Sequence, residues 1–169
     1  MPLFYWGFKG YKIIITMARY SVTIDFPVKR HIKKYLQKKY GKTVMDVSRN
    51  DAIGYLVIAM LNRTPDQPVQ KIEMDDIYPI RISESKYTKN GLYIGKEQMS
   101  LFNKMIDKMF REELYHYIIM SYENCDQKYS YALQDFLNYY GITEDDINSE
   151  SLLKDFKRRK KQKNIAYAG

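Results

Sequence analysis

The feature that most constrains this chain is a change of hydrophobic period. Tyr20, Val22, Ile24 and Phe26 alternate with Ser21, Thr23 and Asp25, the period of two of a half-buried strand. Immediately afterwards Val28, Ile32, Tyr35, Leu36 and Tyr40 recur at helical spacing. Pro27 is expected to end the strand and open the helix, which runs over residues 27–40 and closes at Gly41. Residues 49–62 form a second, almost wholly apolar helix, with Ser48 as its N-cap and Asp51 three residues on. That helix is the expected centre of the first core.

Further along, Thr64, Pro65 and Pro68 mark a connection, and Ile72, Met74, Tyr78, Ile80 and Ile82 suggest short strands, with Pro79 at a sheet edge. Asn90-Gly91, between Tyr87-Thr88 and Tyr93-Ile94, predicts a β-hairpin. From Lys96 the pattern is helical. Met99, Phe102, Ile106, Met109, Phe110 and Tyr117 mark a long helix ending near Tyr122. Leu133, Phe136, Leu137 and Tyr140 mark a second helix, stopped by Gly141. Thr143 caps the turn Glu144-Asp145-Asp146, and a third helix carries Leu152, Leu153 and Phe156. The expected class is α+β: a strand-helix-helix start with a β-hairpin, then a helical region. Residues 17–95 make the α+β part and 96–169 the helical part. Residues 1–16, aromatic and ending in Ile13-Ile14-Ile15, are either an appendage ahead of Met17 or an added strand over 11–16.

Charge is unevenly placed. Of 28 basic residues, seven lie in 29–42 and seven in 154–163, with Asp155 the one acid among them. A net charge of +8 gathered this way creates local positive potential, which attracts polyanions. On the helix over 27–40, Arg30, Lys33, Lys34 and Lys38 fall opposite the apolar stripe. In the tail, Arg158 and Arg159 are the best phosphate candidates, with Lys157, Lys160 and Lys161 adding charge. Seventeen tyrosines supply rings that stack on bases or fill a core edge.

Other chemistry finds little footing. One cysteine, Cys125, excludes an internal disulfide and fits a reducing compartment, so a cytoplasmic location is expected. With His31 and His116 as the only histidines, a Cys/His zinc module has too few ligands. No run reaches the roughly 18 apolar residues of a membrane span, and no membrane partner is expected. Glu144, Asp145 and Asp146 suit a helix dipole better than a metal ion. Glu113 and His116 have the spacing of half a di-iron motif without its second half. Cys125 is read as a half-buried hydrophobe. No glycine-rich phosphate loop, catalytic residue, cofactor or metal site is expected.

RYSVTIDFP, KRHIKKYLQKKYG and VSRNDAIGYLVIAMLNR, in that order, resemble the ribbon-helix-helix family of DNA-binding proteins. The resemblance implies a homodimer that shares an antiparallel ribbon, Arg19, Ser21, Thr23 and Asp25 over base edges, and a phosphate at Ser48 and Arg49. An ordinary α+β half with a solvated lysine-covered helix accounts for the same residues. Residues 131–163 resemble a helix-turn-helix, and a helical hairpin with a cationic tail accounts for them equally. In style the chain is similar to small basic accessory proteins of phages and mobile elements. The expected function is therefore non-enzymatic nucleic-acid binding, DNA ahead of RNA, in a regulatory or accessory role. The alternative is a protein-protein interaction or structural protein that forms an oligomer through the apolar helix over 52–61.

Overall fold

The computed structural model describes residues 4–8, 11–16, 21–64 and 74–167, with side chains at 21–64 and 74–162. Arg19, Tyr20, the connection at 65–68 and Ile72 lie outside the described residues, as does the side chain of Lys163. The elements run β1 (Phe4–Phe8), β2 (Tyr11–Thr16), β3 (Ser21–Val28), α1 (Arg30–Tyr40), β4 (Met45–Asp46), α2 (Ala52–Met60), β5 (Asp76–Ser83), α3 (Glu84–Asn90), α4 (Lys96–Cys125), α5 (Tyr129–Tyr140) and α6 (Ser149–Tyr167). The class is α+β, with a mixed first half and a helical second half. Two compact units, residues 1–106 and 107–169, divide within α4 rather than ahead of it. The division falls there because Met99, Phe102, Asn103 and Ile106 are buried as part of the first unit.

The first unit is built on one antiparallel pair. β3 and β5 are in register over their whole length, from Ser21 opposite Ser83 to Val28 opposite Asp76. Val22, Ile24 and Phe26 therefore meet Ile82, Ile80 and Tyr78, and all six are buried. Each such apolar side chain contributes about 1.5–3 kcal/mol when fully withdrawn from water. The sheet order is β1-β2-β3-β5-β4, antiparallel except for β4 against β5. Tyr11–Thr16 is thus a strand, paired with both β1 and β3. β3 therefore lies between β2, which pairs with its first four residues, and β5, which pairs along its whole length.

Two prolines enter the strands where the ladder is open. The Arg81 carbonyl accepts from Val47 N, so odd residues of β5 turn their backbone groups away from β3. Pro79 has that parity and lies beyond the two β5 residues that pair with β4, which gives it the edge position expected of it. Pro27, opposite Ile77, faces the other way, past the last β2 pairing at Ile24. Neither ring displaces a ladder hydrogen bond. Pro27 is therefore a strand residue, and α1 starts three residues later than its sequence suggests, at Arg30. Gly41 does stop that helix, in the left-handed conformation at φ 61°.

The second helix is also shorter than expected. Asp51, and not Ser48, is the N-cap of α2: its carboxylate accepts from Gly54 N at 2.7 Å and from the Tyr40 hydroxyl at 2.6 Å. Ser48 instead packs its backbone where a Cβ on Gly54 would fall, 2.2 Å from the Ser48 carbonyl oxygen. As expected, α2 feeds the core, with Ile53, Val57, Ile58 and Met60 buried. The expected hairpin at Asn90-Gly91 is absent: Tyr87 and Thr88 belong to α3, and Gly91 follows its end. Gly91 sits at φ 94° because the chain at Asn62 passes directly over it, where a Cβ would lie 2.0 Å from the Asn62 carbonyl oxygen. Asn62 and Tyr93 bridge beside it, and the Arg63 guanidinium holds the Lys89 carbonyl at 2.9 Å. The glycine signal was real; its cause is a close crossing and not a turn between strands.

In the second unit α5 returns along α4, with Tyr122 against Tyr129 at one end and the Tyr140 hydroxyl on Glu113 at the other. Phe110, Leu114 and Ile118 of α4, Leu133, Phe136 and Leu137 of α5, and Leu152 and Phe156 of α6 are buried. Tyr117 is 39% exposed, although its ring still touches Phe136. Gly141 ends α5 at φ 65°, as its position predicts. Among the described residues no helix is long and apolar enough to cross a membrane.

Gly91→Ala is expected to lower unfolding free energy by about 2–4 kcal/mol, through both the backbone region and the collision. Urea unfolding measures it, and a loss below about 0.5 kcal/mol would contradict the crossing at Asn62.

Candidate nucleic-acid interface

α1 places its cations as the sequence pattern implies. His31, Ile32, Tyr35 and Leu36 face the core, while Arg30 and Lys38 are exposed and Lys33 and Lys34 half-buried on the other side. Lys29, the N-cap position of the helix, supplies no side-chain cap, and the first turn carries no acid. Arg30, Lys33 and Lys34 therefore add to the positive end of the helix dipole, an arrangement that costs stability. Asp76 offsets part of it: Lys33 Nζ is 2.6 Å from Asp76 Oδ1 at the start of β5. Burial raises the Asp76 carboxyl, but hydrogen bonds from Lys33 and Ile77 N, with the charges of Lys33 and Arg30, hold it below its ordinary value. Lys33 is thus engaged with the fold. Lys39 is as well, donating to the Tyr35 hydroxyl at 2.9 Å. Lys42 pairs with Asp46 at 3.2 Å, where both partners are too exposed for the pair to matter much.

Ser48 and Arg49 do not sit on a helix N-terminus. They lie in the turn ahead of α2, whose first free N–H groups are already served by Asp51. The Ser48 hydroxyl accepts from Asn50 N at 3.2 Å, and Arg49 is exposed beside it. A phosphate at this point would meet the Asp51 carboxylate, so the geometry behind that pair is missing.

On α6 one carboxylate sorts the cations. Asp155, 14% exposed, accepts from Arg158 at 2.6 Å, Arg159 at 3.0 Å and Arg111 at 3.5 Å. Arg159 also reaches Glu112 at 2.8 Å, and Arg111 reaches Asp107 at 2.8 Å. Two of these pairs, Arg111–Asp155 and Arg159–Glu112, tie α6 to α4. Arg159 is only 24% exposed and belongs to this tie. Lys160 has a similar internal post. Its ammonium lies 5.1 Å from the Tyr122 ring centre and 4.7 Å from that of Tyr129, and bonds the Tyr129 hydroxyl. That bond, against a small desolvation cost, raises the Lys160 pKa above the usual lysine value.

Lys154, Lys157, Arg158 and Lys161 remain, all exposed and spaced i, i+3, i+4, i+7. At 100° per residue they fall within an arc of about 100° and about 10 Å of helix, directly opposite Leu152 and Phe156. Lys154 meets Glu150 only at 3.8 Å, with both side chains 81% exposed, and Arg158 keeps 72% exposure despite Asp155. Among the described residues, this stripe is the part of the basic tail that is exposed. Lys154 opens the basic window of the sequence, and its helical spacing to Lys157 and Arg158 places it in this stripe.

The remaining candidates serve the fold. Glu144 accepts from Ser149 N at 3.1 Å and is held below its ordinary value by hydrogen bonds from Ser149. Asp146 accepts from both Thr143 N and its hydroxyl. Glu113 takes the Tyr140 hydroxyl, His116 is exposed, and Cys125 is exposed rather than half-buried because it closes α4 at the surface. Among the described residues no three His, Cys, Asp or Glu side chains gather as a metal site requires. The gap among Arg111, Tyr115, Leu152, Asp155 and Arg159 has room for about one water molecule. The chain matches no protein-family model, and no curated protein or solved structure matches it.

Arg159→Gln should lower stability by about 1–3 kcal/mol, since it strands two partly buried carboxylates, whereas Lys157→Gln should stay within about 0.5 kcal/mol. Thermal unfolding of the pair tests the division, and equal losses would contradict it.

Proposed function

We propose that the protein binds nucleic acid without acting on it chemically, in a regulatory or accessory role. The observation that carries this reading is the four-cation stripe on α6, whose members all stay exposed although Arg158 meets Asp155 and Lys154 meets Glu150. Phosphates spaced along a strand are met by such a row through charge and counterion release, with no shaped pocket required. The start of α1 supports it, because Lys29 and Arg30 are exposed there on a helix with no acid in its first turn, an end whose dipole favours an anion. Sequence charge agrees: residues 1–106 hold 18 basic and 9 acidic side chains, against 10 and 11 in residues 107–169. The second unit is thus near neutrality, and its cations act only because they are sorted to one helix face. DNA is the first expectation, and the residues proposed to meet phosphate are Arg30, Lys34, Lys38, Lys154, Lys157, Arg158 and Lys161.

An oligomer built on the helix over 52–61 is the weaker reading. Most of that helix's apolar surface is spent inside its own unit, leaving Ala52, Tyr55 and Ala59 exposed.

A salt titration of oligonucleotide binding tests the proposal. Log K should fall linearly with log salt, and Lys157→Gln with Lys161→Gln should flatten the slope by about 1.4 on single strands or 1.8 on duplex. Absence of binding at low salt would overturn the reading, and an unchanged slope would remove α6 from it.

A further inference from the structure

Resting on that reading, we infer that Tyr122, held by Tyr129 and Lys160 at the end of the α4–α5–α6 unit, is a stacking seat for an unpaired base, so that the nucleic acid bound by this unit is single-stranded. Tyr122 lies in the last turns of α4 and is 44% exposed. Its neighbours fix it. The Tyr129 ring is 4.8 Å away at 53°, and the Lys160 ammonium stands 5.1 Å from the Tyr122 ring centre. Tyr129 is itself braced on Phe156, at 5.1 Å, and by its hydroxyl bond to Lys160. The ring is therefore ordered before any ligand arrives, and stacking on it costs little conformational entropy.

The surroundings suit a base with its phosphates on one side. Lys157 and Lys161 flank Lys160 on α6 and are exposed, within one turn of the cation that touches the ring. Glu123 and Asp126, exposed near Tyr122 in the chain, disfavour phosphate at the end of α4 itself. A strand laid along the α6 stripe brings a base to Tyr122 only if that base is free of its partner. In a duplex the bases are stacked inward and the ring is offered nothing but backbone. Aromatic platforms beside a cationic track bind single strands with little sequence preference, since every base has a π face.

Binding of a dT oligonucleotide and of a duplex of equal length is measured for the wild type, Tyr122→Leu and Tyr122→Phe. Leucine keeps the apolar contact with Tyr129 and removes the π face, whereas phenylalanine keeps the ring. Tyr122→Leu is expected to weaken dT binding about 5- to 100-fold, to change duplex binding less than about twofold, and to leave the salt slope unaltered. Tyr122→Phe should bind like the wild type. In Tyr122→Trp, dT should quench the added indole fluorescence relative to the wild-type background. A wild type that binds both forms, with Tyr122→Leu costing nothing or costing both equally, overturns the seat and leaves the proposed function standing. A wild type that binds neither form overturns the proposed function itself.

Discussion

Asp155 fixes how α6 sits against α4, and with it which cations of α6 stay at the surface. A carboxylate that is 14% exposed and bonded to three guanidinium groups is a fixed point, because any partner withdrawn from it leaves a poorly solvated charge behind. With Glu112 and Asp107 it holds Arg159 and Arg111 in place and so sets the rotation of α6 about its axis. Once that rotation is fixed, Lys154, Lys157, Arg158 and Lys161 can only point away from the core. The single acid in the basic window is therefore what turns a cationic tail into a surface.

The first unit reaches a comparable result by another route. The β3–β5 register buries six large side chains in facing pairs and supports α1 through the Lys33–Asp76 contact. That support lets α1 carry a first turn that its own electrostatics oppose. Basic residues in a first turn that holds no acid work against the helix dipole, and Asp76 offsets part of that cost from the start of β5.

Much of the fold could be read from the chain because its signals were local. Alternation at Val22, Ile24 and Phe26, helical spacing from Met99 to Phe110, and glycine stops at Gly41 and Gly141 each depend on near neighbours. The misreadings share a different cause. Pro27 and Gly91 were judged by what they do in isolated segments, a helix start and a hairpin turn. Their actual roles depend on where β2 stops pairing and on where Asn62 crosses, neither of which is a neighbour in sequence. Asp51 displaced Ser48 as a cap because Tyr40, eleven residues earlier, donates to the same carboxylate. For the candidate surface, the cationic windows were plain, but their division was not. Arg159 and Lys160 looked equivalent to Lys157 and Lys161 until Glu112, Tyr122 and Tyr129 came to lie beside them.

Lysine reactivity tests the central claim most directly, because it reads each ammonium group separately. Limited acetylation of the whole protein, with and without a saturating single-stranded oligonucleotide, should show strong protection at Lys154, Lys157 and Lys161. Protection confined to lysines off this stripe, with these three reacting equally in both states, would contradict the account.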